Sequence, residues 1–446
     1  MKHWFKDRHF RSLLKNSSYL VVSKAVAAVA GLATLAFAGR SLGLMMFGML
    51  ILIVSYAKAA SGISKFQSWQ LIVRYGGHVL TGGDTAKFKA ATGFAFALDI
   101  VSGFGGMIVA IILLPFIGHW FGITDRYLLP ALLYCTLLPT MGAATPSGVL
   151  RSLDRFDLIS WQGTSYPIAR SLLAGAAWLA NAPFEAFVAI WYVTDLGGDI
   201  YLWFLAWREL RRHDLLRGIK PTLKPKTLPG AWRFAIHVNL TSSLSAAWGP
   251  VARLLVGGLI SPSGAAIYRV AAGLTDAAQK PADLLAKAYY PQIVQMDFAT
   301  KKPRNLMLRG PGLAMSVGLL AVLLLLFGGQ TLVSAIFGKD FLPAYPVLMV
   351  LILAPLFGMI SFPLPSMLYA LDRPEAPLRA RLLGTFCYMT TIAPLALNFG
   401  LMGAAASFVI SFAVMVLALI FQVWREYRRV RVPGKLAGNQ PPLDAM

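Results

Sequence analysis

The chain is written as long apolar runs separated by short polar or basic stretches. A helix needs about 20 apolar residues to cross the hydrocarbon of a bilayer. Twelve runs meet that length: 17–38, 42–64, 91–117, 128–150, 158–180, 184–206, 234–257, 264–286, 311–335, 343–368, 380–398 and 401–424. Between 157 and 207 only Asn181 and Pro183 mark a break. The first run follows a basic segment with Lys2, Lys6, Arg8, Arg11 and Lys15. It is too long for the core of a signal peptide and carries no convincing cleavage site, so it predicts a retained span. The pattern predicts an all-α integral membrane protein of about twelve transmembrane helices.

Composition supports that reading. Of 446 residues, 57% are hydrophobic and 13% charged, where a soluble domain carries about 25% charged residues. Lys and Arg number 41 against 19 Asp and Glu, a formal charge of +22. Such a balance suggests nucleic acid only if the charge forms a patch, and here it alternates with the spans. With the N-terminus placed inside, the inner segments and their flanks hold 32 of the 41 basic residues. The outer segments hold only Arg40, Arg126 and Lys339. This is the asymmetry of the positive-inside rule, and it predicts an even number of spans with both termini cytoplasmic.

The outer connections are short, leaving no room for an external catalytic domain, which argues against a polymerase. Chemistry is also sparse. No Gly-x-x-x-x-Gly-Lys-Ser/Thr loop is present; Gly82-Gly83 is followed by Asp84-Thr85. Cys135 and Cys387 lie in apolar runs, and the six histidines have no metal-ligand spacing. No enzyme, metal site or cofactor is expected.

The chain compares with itself at a fixed offset. Phe121-Gly122 recurs as Phe337-Gly338, and Pro130 and Pro139 recur as Pro346 and Pro355. The hexad Leu150-x-x-Leu-Asp-Arg155 recurs as Leu368-x-x-Leu-Asp-Arg373, each shortly after a Pro-Ser pair. A duplication of six spans, an even number, gives two parallel repeats about an axis along the membrane normal. The expected organisation is a cytoplasmic N-terminus 1–16, six-helix lobes 17–207 and 234–424, a basic linker 208–233 and a basic tail 425–446. The matched prolines suit helices that kink alike in both halves.

Charges inside spans cost roughly 2.5–3.5 kcal/mol each near the bilayer centre, so they should face a cavity or one another. Lys24, Lys58, Asp99, Arg170, Asp195, Asp199, Arg253, Arg269, Asp276, Lys280 and Asp283 are such residues, and Arg40 stands at the outer end of the first span. Arg269, Asp276, Lys280, Asp283 and Lys287 share one helical face, as do Asp195 and Asp199. One reading is a water-filled cavity lined by Arg40, Arg170, Arg253, Arg269, Lys24 and Lys280, whose cations suit phosphate oxygens. The other is structural pairing, most simply of Lys280 with Asp276 or Asp283. Asp99, Asp195, Asp199, Asp276 and Asp283 are candidates for charge pairs or for a coupled proton or sodium ion. Residues 65–78, with Phe66, Trp69, Ile72, Val73 and Arg74, read as an interfacial helix or loop on the inner leaflet.

Several segments together resemble a known family. They are Gly39-Arg40-Ser41-Leu42-Gly43 with Phe47-Gly48, the repeated Phe-Gly, Arg253-Leu254-Leu255-Val256-Gly257-Gly258 through Tyr268-Arg269, and Phe399-Gly400-Leu401-Met402-Gly403. Their order and spacing are similar to polysaccharide flippases of the multidrug/oligosaccharidyl-lipid/polysaccharide exporter superfamily. Met45-Met46 depart from the acidic or small polar residue usual there. The resemblance implies two six-helix lobes around a cationic cavity and alternating-access flipping of undecaprenyl-diphosphate-linked sugars. It places the chain in the bacterial inner membrane, driven by a proton or sodium gradient. Expected partners are that lipid-linked oligosaccharide, membrane lipids, a polysaccharide polymerase and a chain-length regulator, with the flippase itself a monomer. Two transporters remain as alternatives. A major-facilitator protein would show a short Gly/Asp/basic loop after its second span, where this chain has about 25 residues. A multidrug extruder would need an apolar or acidic cavity.

Overall fold

The computed structural model describes residues 8–77, 79–81, 84–277, 302–370, 373 and 375–430. Those residues form helices and connecting turns, with no strand among them. In chain order the helices are α1 (Arg8–Ser64), α2 (Trp69–Gly76), α3 (Thr85–Ile117), α4 (Leu128–Cys135), α5 (Ala144–Ser152), α6 (Phe156–Leu179), α7 (Phe184–Arg212) and α8 (Ala231–Leu259). Then follow α9 (262–277), α10 (Lys302–Phe337), α11 (Ala344–Leu351), α12 (Leu353–Ser361), α13 (Pro363–Ala370) and α14 (Glu375–Val430). Each expected span falls on helical segments, although 278–286 of the eighth lies outside the described residues.

Two of these helices are too long for one crossing. α1 has 57 residues and α14 has 56, about 85 Å each at 1.5 Å per residue, against a hydrocarbon core of about 30 Å. Each is broken where the sequence separates two spans. Gly43 takes φ 66° and Gly400 takes φ 57°, a left-handed backbone that favours glycine. The break at 181–183 also stands: α6 ends at Leu179, Asn181 turns with φ 49°, and Pro183 precedes α7.

The fourth span is not one helix. α4 stops at Cys135, residues 136–143 form a chain of turns through Pro139 and Gly142, and α5 restarts at Ala144. Lys65 supplies donors to this unwound stretch. Its Nζ donates to Pro139 O at 3.0 Å and to Met141 O. Backbone freed of its helical partners survives at membrane depth only where protein groups or a wet cavity satisfy it. The tenth span is divided more lightly, into α11, α12 and α13, by single turn residues at Ile352 and Phe362. α4 and α11 are both eight residues long and sit 216 positions apart, the offset of the repeated prolines.

One ion pair repeats too. Arg155 follows the fourth span and donates Nη1 to Glu209 Oε2 at 2.6 Å, where the side chain of Glu209 is only 1% exposed. Arg373, its counterpart after the tenth span, lies 3.4 Å from Glu426 near the end of α14. The hexad repeat therefore carries one half of an ion pair, and the other half repeats 217 positions apart. Arg155 also binds Asp157 in a fork, which holds that carboxyl below its usual range. Asp84 caps α3 by accepting from Ala86 N and Lys87 N, and its carboxyl is likewise lowered, mainly by the Lys87 amide.

Contacts within the chain define two compact units. One comprises residues 1–270 and 331–344, the other 271–330 and 345–446. The division after Val270 differs from the expected linker at 208–233, because α8 packs along α1. In the first unit α3 turns Ile100, Phe104, Ile108, Ile112 and Phe116 outward. Spaced by four, they form an apolar face that water would penalise and lipid accepts. The segment expected to lie on the membrane surface is partly different. α2 forms, but Leu71 and Ile72 are buried, packed on α3, α5 and the start of α8. Its apolar face is thus closed by protein rather than by lipid. Arg74 stacks over Phe234 at 4.4 Å, and Arg151 over Trp69 at 4.3 Å.

Arg155→Ala removes the shortest partner of buried Glu209, leaving Arg208 at 3.6 Å and His213 at 3.9 Å, and is expected to cost about 2 kcal/mol. Arg373→Ala acts on a half-exposed pair and should cost about 1 kcal/mol or less. Thermal unfolding of the purified protein in detergent checks the order, with Arg155→Ala the lower in Tm. The Asp157 contribution is present above the ordinary carboxylate pKa and lost as pH falls through the lowered folded value. The deficit of Arg155→Ala should therefore shrink below about pH 4.

Candidate functional site

The first unit encloses two adjoining cavities. Spacing on its helices explains what lines them. Lys58, Ser61 and Gly62 on the second half of α1, and Lys65 just past its end, recur at three and four residues and border the same cavity. On α6 the pair is Tyr166 and Arg170, and on α7 Trp191, Asp195 and Asp199 stand four apart. α1 adds Lys24, α5 adds Arg151, α8 adds Arg253 and α9 adds Arg269.

The inner cavity, about 200 Å³, is bordered by Thr34, Ser55, Lys58, Arg170, Arg253 and Arg269. The larger, about 670 Å³, is bordered by Lys24, Lys58, Lys65, Arg151, Asp195 and Asp199. Ala27, Lys58 and Tyr166 belong to both walls. Among the described residues the two walls carry seven basic side chains and two carboxylates.

The cations are held differently. Arg170 Nε donates to Thr194 Oγ1 at 2.7 Å, its guanidinium pairs with Asp195, and Tyr134 donates its hydroxyl to the other Asp195 oxygen. The guanidinium also lies 5.4 Å from the Trp191 ring centroid and 5.7 Å from that of Tyr166. Arg170, expected on a cavity wall, stands there and also has an ion-pair partner on the neighbouring helix. Arg253 Nε donates to Ser55 Oγ at 2.8 Å, joining α8 to α1. Among the described residues no carboxylate comes within ion-pair distance of Lys58.

Other expected site residues are placed elsewhere. Arg40 donates from Nε to Ile336 O at 2.9 Å and from its second nitrogen to Ala335 O. It thereby caps the last turn of α10, whose carbonyls lack helical partners, and it borders neither cavity. Asp99 is buried and accepts from Ser68 Oγ at 2.7 Å and from Thr145 N at 2.9 Å. It ties the start of α2 to the start of α5 and also borders neither cavity. Asp276 is exposed and belongs to the second unit. Lys280, Asp283 and Lys287 lie outside the described residues.

Three lining residues were not among the expected site set: Lys58, Lys65 and Arg151. Lys58 was visible as an in-span charge. Arg151 had a subtler signal, because it occupies a variable position of the repeated hexad, where the second copy has Tyr369.

Comparison with known proteins places the chain in a family. Residues 13–297 match the polysaccharide biosynthesis protein family. The chain belongs to that family. It is 40% identical over 351 residues to inner membrane protein YghQ of Escherichia coli strain K12, a match covering 78% of this chain and 99% of that protein. Its fold is that of solved transporters. An inward-facing multidrug resistance MATE family transporter of the MOP superfamily superposes with TM-score 0.69 at 14% identity, covering 93% of this chain and 96% of the other. The lipid II flippase MurJ, in an inward closed conformation, superposes with TM-score 0.66 at 14% identity, covering 92% and 89%. The chain is thus a multi-pass membrane protein with the helical fold of these transporters. Among the described residues no group of His, Cys, Asp and Glu could hold a metal ion.

Removing one partner of the Arg170–Asp195 pair leaves a buried charge. Asp195→Ala is expected to cost about 3 kcal/mol, and Arg170→Ala a similar amount. The double variant should lose less than the two single losses together, with a coupling of about 1–3 kcal/mol. Thermal unfolding of the four proteins in detergent measures that coupling.

Proposed function

We propose that this protein carries a lipid-linked oligosaccharide across the bacterial inner membrane, with the diphosphate held in the basic cavity. The observation that carries the reading is the charge of the walls: seven basic side chains against two carboxylates. Holding cations at membrane depth is costly, and an anionic client offsets that cost. Guanidinium groups match phosphate oxygens in pairs, and the family's role in polysaccharide biosynthesis supplies a glycan attached to such a phosphate.

The transport cycle in this reading is alternating access with both termini in the cytoplasm. The broken fourth and tenth spans give the helices places to bend. Asp195 and Asp199, the carboxylates of the walls among the described residues, are where a coupled proton or sodium ion would bind. A polymerase and a chain-length regulator would act on the delivered glycan, and a monomer suffices for the passage. The competing reading is a multidrug extruder, favoured by the likeness to a MATE transporter. A basic wall repels the cationic drugs such a transporter would carry.

Deleting the gene in its host should remove surface glycan and leave lipid-linked repeat units on the inner leaflet. Complementation with Arg253→Ala or Arg269→Ala should restore about a tenth or less of the glycan, since a charge-assisted hydrogen bond is worth about 1.5–3 kcal/mol. Normal surface glycan in the deletion strain, with altered resistance to cationic drugs, would instead establish the extruder.

A further inference from the structure

A third hollow lies in the first unit, on the other side of the second half of α1. Its volume is about 590 Å³, and side chains of α1, α3 and α8 form its walls. On α3 the lining residues include Leu98, Val101, Gly105, Val109, Leu113 and Ile117. Ala60 and Ile63 of α1 and Val251 and Leu254 of α8 face them. Ionisable side chains are absent from this lining except for the hydroxyl of Tyr56, which donates to Ala110 O. Ile63, Val101 and Val109 are each more than half exposed, so the groove opens to the surroundings, which at this depth are hydrocarbon.

Three features select its occupant. The first is length. From Leu98 to Ile117 α3 rises about 28 Å at 1.5 Å per residue, nearly the full thickness of about 30 Å. A phospholipid acyl chain belongs to one leaflet and covers about half of that depth. A polyprenyl chain is long enough to fill it. The second is continuity with the basic cavity. The end of α1 and the residues just after it present Lys58, Gly62 and Lys65 to the cavity and Ala59, Ala60 and Ile63 to the groove, and Phe66 borders both. A lipid with its phosphates beside Lys65 passes its tail across Phe66 without leaving the protein. The third is the floor. A Cβ built on Gly105 would meet nothing within 4 Å, so this glycine keeps space open rather than admitting a packed neighbour.

We infer that this groove binds the polyprenyl tail of the substrate while its diphosphate occupies the basic cavity. The inference rests on the flippase reading and assigns a separate site to the apolar part of the same molecule. Burying hydrocarbon against hydrocarbon yields little net energy in a bilayer, so the groove contributes mainly by orienting the tail. Its register fixes where the phosphates stand relative to Lys65 and Arg151.

The test compares Gly105→Leu, which fills the groove, with Ile108→Leu on the neighbouring lipid-facing side of α3. Full-length protein in nanodiscs is titrated with polyprenyl diphosphate and separately with inorganic diphosphate. The expected result is that Gly105→Leu weakens polyprenyl diphosphate binding about tenfold and leaves inorganic diphosphate binding unchanged, while Ile108→Leu changes neither. Equal polyprenyl diphosphate affinity in wild type and Gly105→Leu overturns the inference and leaves the diphosphate site standing. If wild type binds neither ligand, the flippase reading itself fails. A photoreactive residue at position 105 adds a second readout. Capture of polyprenyl diphosphate supports the groove, and capture of phospholipid that polyprenyl diphosphate does not displace overturns it.

Discussion

Hydrocarbon offers a polar group no partner, and most of this structure answers that constraint. Each charge placed at membrane depth must find an opposite charge, a backbone carbonyl or a wet cavity. Arg170 finds Asp195, Thr194 and two aromatic rings. Lys65 finds the carbonyls freed by the broken fourth span, and Asp99 finds the amide at the start of α5. These residues hold in place the helices that border the basic cavity. Removing any of them changes the shape of that wall as well as its charge.

This division of labour clarifies which charges can serve a substrate. Asp99 and Arg40 work on backbone groups of their own protein and so belong to the frame. Lys24, Lys58, Arg253 and Arg269 stand on cavity walls contributed by α1, α8 and α9. Lys65 has a dual position, since it borders the cavity while bonding to Pro139 and Met141. Lys65 thus joins the unwound segment to the basic wall.

Much of the fold was legible because it rests on local properties of the chain. Apolar run length placed the spans, and Gly43, Asn181 and Gly400 mark turns that helical backbone cannot make. The repeated prolines pointed to kinks in the fourth and tenth spans, and the structure goes further by breaking each into separate helices. The site was legible only in outline. Spacing by four correctly grouped Asp195 with Asp199, because both lie on one helix. It could not pair Arg170 with Asp195, which stands on the next helix, or send Arg40 to a helix end 296 positions away. Such pairings depend on which helices become neighbours. The same limit applies to α2, whose apolar face looks suited to lipid until α3 and α5 are seen to cover it.

The recurrence of the Arg155–Glu209 clasp as Arg373–Glu426 has a consequence for how the protein could have arisen. Two copies of a six-span ancestor would have carried the same clasp, and with it the same wall on each side. Here the copies agree at Arg155 and Arg373 but diverge at Arg151 and Tyr369. A fused gene can change one copy without changing the other, which two identical subunits cannot do. Fusion thus lets the copies differ at single positions such as Arg151 and Tyr369 while both keep an inherited joint.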